Sequence, residues 1–122
     1  MKHDDVTEKV IGAAYEVHKL LGQGFMEKVY ENAMAIELRG AGLRVEQQRP
    51  ITVRYKGEVM GEYLADLVVE GEVIVELKAV AEVEKVHEVH IVNYLRATGL
   101  EVGLLINFSK SVTIKRKVFD KV

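Results

Sequence analysis

Charged side chains inside an otherwise apolar run constrain a fold more tightly than overall composition does. Once buried, each must be paired, neutralised or bound to an ion. In this chain the run is Tyr-Leu-Ala-Asp66-Leu-Val-Val-Glu-Gly71-Glu-Val-Ile-Val-Glu76-Leu-Lys78-Ala, from Tyr63 to Ala79. It reads as two strands joined by a tight turn at Glu70-Gly71, and strands this rich in Val, Ile and Leu are central and covered on both faces. Asp66, Glu76 and Lys78 interrupt the pattern. Alternation puts Glu76 and Lys78 on one face of their strand and Leu77 on the other. Asp66 joins the first face in only one register. A two-residue loop pairs Val69 with Glu72 and Asp66 with Val75, turning the two acids to opposite faces. A three-residue loop or a bulge pairs Val69 with Val73, Val68 with Ile74 and Asp66 with Glu76. The second register matches apolar to apolar and is the expected one; a one-residue slip would reverse every side chain.

The rest of the chain has to cover that hairpin. With 122 residues it is a single domain, 1–122, long enough for a core. A content of 48% apolar and 30% charged residues with one proline is that of a globular protein. There is no apolar run of about 18 residues to span a membrane, and no signal peptide. The chain has no cysteine, which excludes disulfides and thiolate metal sites. The expected location is cytoplasmic. A net charge of −2 and a pI of about 6.1 weigh against a broad, nonspecific nucleic-acid binder. The charge is uneven, however. Lys110, Lys115, Arg116, Lys117 and Lys121 crowd the C-terminal end, either as a basic edge or as lysines that protect a strand edge.

Residues 4–21 carry an amphipathic helical stripe through Val6, Val10, Ala13, Val17 and Leu21, with Asp5 and Glu8 placed as a capping box. Gly22-Gln23-Gly24 ends it, and a second helix of about 25–39 stops at Gly40. Leu43 to Gln47 is extended, Pro50 breaks it, and Ile51 to Tyr55 forms a half-exposed strand. Lys56-Gly57 turns the chain into a long strand, Glu58 to Val69, with Gly61 placed for a bulge. After Val73–Lys78 come a helix of roughly 84–98, an apolar strand from Leu100 to Asn107 and an alternating strand from Val112. The order α-α-β-β-β-α-β-β predicts an antiparallel meander followed by a crossover helix into a parallel strand.

Two acids and a lysine on central strands suit a hard divalent cation, Mg²⁺ or Mn²⁺, which takes oxygen ligands, keeps several waters and is often held by one or two carboxylates plus a substrate phosphate. Asp66 and Glu76 would hold it with the backbone carbonyl of Leu77 as a third ligand, and Lys78 would orient the attacking water or neutralise charge in the transition state. The plainer alternative is a structural ion pair at a strand edge. Glu27 and Tyr30 lie at i and i+3 of the second helix, with Glu31 at i+4. Either the helix delivers Glu27 to the carboxylate pair, or Glu27 merely complements the helix dipole. His87, His90 and Tyr94 share a face of the late helix, but no third nitrogen or sulfur ligand accompanies them for zinc.

Several motifs together resemble a known group. They are Leu21-Gly22-Gln-Gly24-Phe-Met-Glu27-Lys-Val-Tyr30-Glu31, Tyr63-Leu-Ala-Asp66, Val73-Ile-Val-Glu76-Leu-Lys78-Ala, and Asn93-Tyr94-Leu-Arg-Ala-Thr-Gly99-Leu with Gly103-Leu-Leu-Ile-Asn107-Phe108. This resembles the GxxExxY family, which is placed in the PD-(D/E)XK nuclease superfamily, over about residues 6–119. The resemblance implies an α/β (α+β) fold with a restriction-endonuclease-like αβββαβ core, a mixed central sheet flanked by helices, an extra N-terminal helix and an extra C-terminal strand. It implies that Asp66 and Glu76 are metal ligands, Lys78 the catalytic lysine and Glu27 the first-helix acid, with Tyr30 shaping the site. His90 stands where the family usually has a glutamine, so this chain is expected to have an altered but competent site. The function implied is a Mg²⁺- or Mn²⁺-dependent phosphodiester hydrolase acting on nucleic acid, DNA first, with no membrane partner and a homodimer as the expected assembly. The rival expectation is a noncatalytic interaction module that keeps the nuclease scaffold.

Overall fold

A computed structural model describes residues 3–120, so Lys121 of the basic cluster lies outside the described residues. The elements are α1 (Asp4–Leu21), α2 (Glu27–Gly40), β1 (Val45–Tyr55), β2 (Glu58–Val69), β3 (Val73–Lys78), α3 (Lys85–Thr98), β4 (Val102–Phe108) and β5 (Val112–Val118). The strands form one sheet in sequential order, β1-β2-β3-β4-β5. Neighbours are antiparallel except β3 and β4, which are parallel and connected through α3. This is the expected mixed sheet. The αβββαβ core runs from α2 to β4, with α1 before it and β5 after it.

Apolar side chains on opposite faces of the central strands explain the layers. Val73, Val75 and Leu77 of β3, with Leu104 and Ile106 of β4, pack against Val10 and Val17 of α1 and Tyr30, Met34 and Leu38 of α2. On the other face Ile74 and Leu105 pack against Ile91 and Leu95 of α3. Every residue of β4 is buried, and each large side chain removed from water there stabilises the fold by roughly 1.5–3 kcal/mol. Gly103 lets α3 approach, since a Cβ at that position would stand 2.8 Å from Ile91 Cδ1. Among the described residues no helix is long and apolar enough to cross a membrane.

The turn between β2 and β3 sets the register. Glu70 and Gly71 have φ of 56° and 64°, and the Glu72 N–H donates to the Val69 carbonyl at 3.0 Å. Two successive left-handed residues suit the twist of a hairpin. The ladder pairs are Val69 with Val73, Val68 with Ile74 and Leu67 with Val75, so the hairpin takes the register of the three-residue loop.

Three local expectations are corrected. Pro50 does not break the chain: β1 runs through it, with Pro50 opposite Leu64. An edge strand tolerates proline because one side of its backbone needs no partner. The Asp5–Glu8 box does not form. α1 starts at Asp4 behind His3, with no side-chain cap bond, and a capping box occurs instead at α3 between Glu84 and His87. α2 starts at Glu27 rather than 25. The bulge expected near Gly61 is present, where pairing shifts between Val53–Gly61 and Arg54–Val59.

The β1–β2 hairpin also changes phase along its length. Val45 faces the α1/α2 core and Ile51 faces α3, although strict alternation would put residues six positions apart on one face. In β2, Leu67 faces α1/α2 and Ala65 faces α3. Both changes fall at Gln48 and Asp66, where Gln48 has φ of 52° and the ladder omits one pair. A single left-handed residue re-aims the strands by breaking alternation at that step.

Candidate active site

Leu67 and Val75 form the last ladder pair between β2 and β3. Asp66 and Glu76 come next in that register, and side chains take over there from the backbone. The Asp66 N–H donates to Glu76 Oε2 at 2.8 Å, and the Leu77 N–H donates to Asp66 Oδ2 at 2.8 Å. Each carboxylate thus accepts a backbone donor of the opposite strand, which leaves no orphan N–H where the strands part. Burial pushes Glu76 up to about 8, the charge of Asp66 adds to the rise, and the Asp66 amide and the charge of Lys78 oppose it. Glu76 therefore carries a proton at neutral pH unless a cation takes its place.

Lys78 lies two residues on, half-buried, on the same strand face as Glu76. The chain beyond it is clamped by Asn107, a residue that is 2% exposed. Its Oδ1 accepts the Val80 N–H at 3.0 Å and its Nδ2 donates to the Val80 carbonyl at 2.8 Å. That two-point bond fixes the strand exit that carries Lys78.

A further acid approaches from α2, and it is Glu31. The carboxylate is buried, and Lys28 Nζ and Gln47 Nε2 each donate to its Oε2 at 2.8 Å. Gln48 Nε2 donates to Glu31 Oε1 at 2.6 Å and to Asp66 Oδ1 at 3.2 Å. One amide thereby ties the two acids together. Burial raises the pKa of Glu31, but the three donors outweigh it and hold the carboxyl below its ordinary value. Glu27 is exposed. It lies one turn, about 5.4 Å, nearer the helix start, where Phe25, Met26 and Val29 are exposed as well. Inward packing of α2 begins with Tyr30 and Glu31, so the bonds that reach Asp66 come through Glu31.

Tyr30 supports the scaffold rather than lining the site. It is fully buried, its ring stacks on Phe108 with centroids 4.4 Å apart, and its hydroxyl donates to the Gly22 carbonyl at 2.7 Å. The motif spacing of Gly24, Glu27 and Tyr30 is thus explained by a tyrosine that ties down the preceding loop, where Gly24 takes φ of 104°. His87 is used in the α3 cap, where its Nδ1 accepts the Glu84 N–H at 3.1 Å. His90 is exposed and lines a cavity with Tyr63 and Tyr94. Of that group, Tyr94 lies near the acids: burial raises its pKa, and the charges of Glu76 and Asp66 add to the rise.

Gln48 and Asn107 have no role in the sequence reading. A polar residue that bridges two acids across three elements leaves no periodic signal. Asn107 lies one residue before the end of β4, and its place in the Gly103–Phe108 motif is the one signal for it. Among the described residues no three acids or histidines form a ready-made metal cage; the acids come as the Asp66–Glu76 pair, with Glu31 one amide further out.

Comparisons with known proteins bear on the fold and the family. The chain is similar to the protein SSO0001, whose crystal structure shares 16% identity, aligns with a TM-score of 0.60 and is matched over 97% of this chain. The chain spans about 59% of that protein's length, and the likeness is one of fold. No match is found among curated proteins. Residues 4–118 match the PD-(D/E)XK nuclease superfamily. That span holds the strand pair that carries Asp66 and Glu76, the lysine after it and the helices on both faces, and by it the chain belongs to the PD-(D/E)XK nuclease superfamily.

Proposed function

We propose that the protein is a divalent-metal-dependent nuclease of the GxxExxY type that hydrolyses phosphodiester bonds, with DNA as the first polymer to test and a homodimer as the assembly. One observation carries the reading. Where β2 and β3 part, the Asp66 N–H donates to the Glu76 carboxylate and the Leu77 N–H donates to the Asp66 carboxylate, each at 2.8 Å, with Lys78 next on the same strand face as Glu76. A structural ion pair would match acid to base, whereas this arrangement places acid against acid. Two adjacent carboxylates in a buried setting are held together at the cost of a proton on Glu76, and a cation removes that cost.

The donors present fit Mg²⁺ or Mn²⁺. Asp66 and Glu76 supply hard oxygens, the Leu77 carbonyl would supply a third, and substrate phosphate and water would complete the shell. Bound there, the ion supplies Lewis-acid stabilisation of charge that develops on the phosphoryl oxygens. The residues do the rest. Lys78 orients the attacking water and neutralises charge at the phosphorus. Gln48 holds Asp66 in place against Glu31, so Gln48 and Glu31 are positioning residues. In this assignment Glu31 takes the place first expected for Glu27. Asn107 keeps Lys78 in its register.

The test is cleavage of single-stranded, duplex and branched DNA and of RNA in Mg²⁺ or Mn²⁺. Lys78→Ala should lower the rate about 10²–10³-fold, the size expected for one group that stabilises charge in a transition state, while the melting temperature stays near wild type. Residual activity equal to wild type in Lys78→Ala would sink the assignment. Failure of the wild type to bind Mn²⁺ in calorimetry, together with no cleavage of any substrate, would favour the noncatalytic module.

A further inference from the structure

A cavity of about 570 Å³ opens between the β1–β2 hairpin and α3. That size is ordinary for a small-molecule or single-residue ligand and too small for a duplex. Its walls are distinctive in three ways. Two aromatic rings face each other across the hairpin and helix, Tyr63 and Tyr94, with centroids 5.8 Å apart and planes at 41°. Tyr63 is 52% exposed, a large aromatic surface left open to solvent. Two cations, Arg54 and Arg96, line the cavity, and no carboxylate does, although acids outnumber Lys and Arg by 19 to 17 in the chain. Arg96 is held in place, since its Nη1 donates to Asn93 Oδ1 at 3.2 Å and its guanidinium lies 5.5 Å from the Phe119 ring centre. His90 and Asn93 add polar edges.

Rings beside guanidinium groups recognise unpaired nucleotides, because every base has a face to stack and every phosphate a charge to pair. Position supports this as well. Tyr94 senses the charges of Glu76 and Asp66, and Tyr63 lies three residues before Asp66, about 10 Å along β2. We propose that this groove receives an unpaired nucleotide of the substrate strand, with its base stacked on Tyr63 and Tyr94 and its phosphates paired with Arg54 and Arg96. The substrate class is then single-stranded or frayed nucleic acid rather than intact duplex. This rests on the nuclease reading of the neighbouring carboxylates and names the substrate for that site. It also gives His90 a place, on the wall of the nucleotide groove.

Binding and cleavage separate the two ideas. Fluorescence anisotropy in EDTA, with labelled oligothymidine and a blunt duplex of the same length, reads binding without turnover. The single strand should bind about ten-fold tighter than the duplex. Tyr63→Ala should weaken it about ten-fold, within the range for loss of one base stack. Tyr63→Phe, which keeps the ring, should restore it. Arg54→Ala should reduce the salt dependence by about one phosphate contact. Equal affinity for strand and duplex, or no effect of Tyr63→Ala, would overturn the proposal. If Tyr63→Ala cuts the single strand at the wild-type rate in Mg²⁺ while Lys78→Ala does not, the nuclease reading survives and the groove assignment falls. Ring-dependent binding of the single strand with no cleavage in any metal would do the reverse.

Discussion

From Leu67 to Val75 the β2–β3 hairpin is closed by backbone bonds and apolar pairs. One residue further from the turn, the same two strands are joined by Asp66 and Glu76 through side chains. Across that boundary the facing pair changes from two apolar side chains to two carboxylates, and the way the strands are held changes with it. The closed half satisfies its donors within the ladder and buries Val and Ile on both faces, and it supplies stability. The open half satisfies such donors with carboxylates, so two acids stand side by side while the Asp66 and Leu77 N–H groups keep their partners. Parting the strands is therefore what brings the two acids together, and the cost falls on Glu76, whose pKa is pushed up to about 8 by burial and by the charge of Asp66.

This contrast can be broken experimentally, and the largest effect should lie in the closed half. Ile74 is fully buried beneath α3, and Ile74→Ala should lose about 2–5 kcal/mol in urea unfolding while the folded fraction still cleaves at the wild-type rate. A loss below about 1 kcal/mol would remove the claim that this half carries the stability. The second test separates the two α2 acids. Glu31→Gln should weaken Mn²⁺ binding about 10–100-fold, the size expected when a group that orients a ligand is lost, and Glu27→Gln should leave it unchanged. The opposite result in calorimetry would return Glu27 to the site.

The third effect depends on pH. Glu76 ionises near 8 in the folded protein against an ordinary 4.5. Between those values the folded state holds a proton that the unfolded state has released, so stability falls as pH rises through this window. The neutral carboxyl's contribution is complete below about 4.5 and lost above about 8. Thermal melts without metal should show a decline across this window that Glu76→Gln flattens. Mg²⁺ competes with the proton, so its affinity should increase towards pH 8. A metal-free stability that rises with pH over this range would contradict the buried pair. The smallest effect belongs to the turn. Gly71 has φ of 64°, and Gly71→Ala should cost about 1 kcal/mol in the same melts with cleavage unaltered.

Much of this was legible in the residues themselves. The apolar pairing of Val69 with Val73 and Val68 with Ile74 selects one register, and that register alone brings Asp66 opposite Glu76. The alternation that sets Lys78 beside Glu76, the helix ends at Gly22, Gly40 and Gly99, and the crossover into a parallel β4 are all local or periodic signals. They survive because each depends on neighbours in the chain or on an unbroken pattern. Pro50 misled because its effect depends on being at an edge, which is a fact about the sheet and not about the strand.

What the tertiary structure alone decided is which side chains meet across elements. Spacing points to Glu27, and only the start of inward packing at Tyr30 puts Glu31, one turn on, in contact with the residues around Asp66. Gln48 acquires its role from a left-handed backbone step that lets one amide reach both Glu31 and Asp66. Asn107 acquires its role by standing near the end of β4 beside the exit of β3. Tyr63 and Tyr94 form a pair only because the hairpin folds over α3. Sequence fixes periodicity, and hence faces and register, because those follow from backbone geometry repeated along the chain. Which polar groups converge depends on how faces pack at a distance, and no repeat along the chain encodes that.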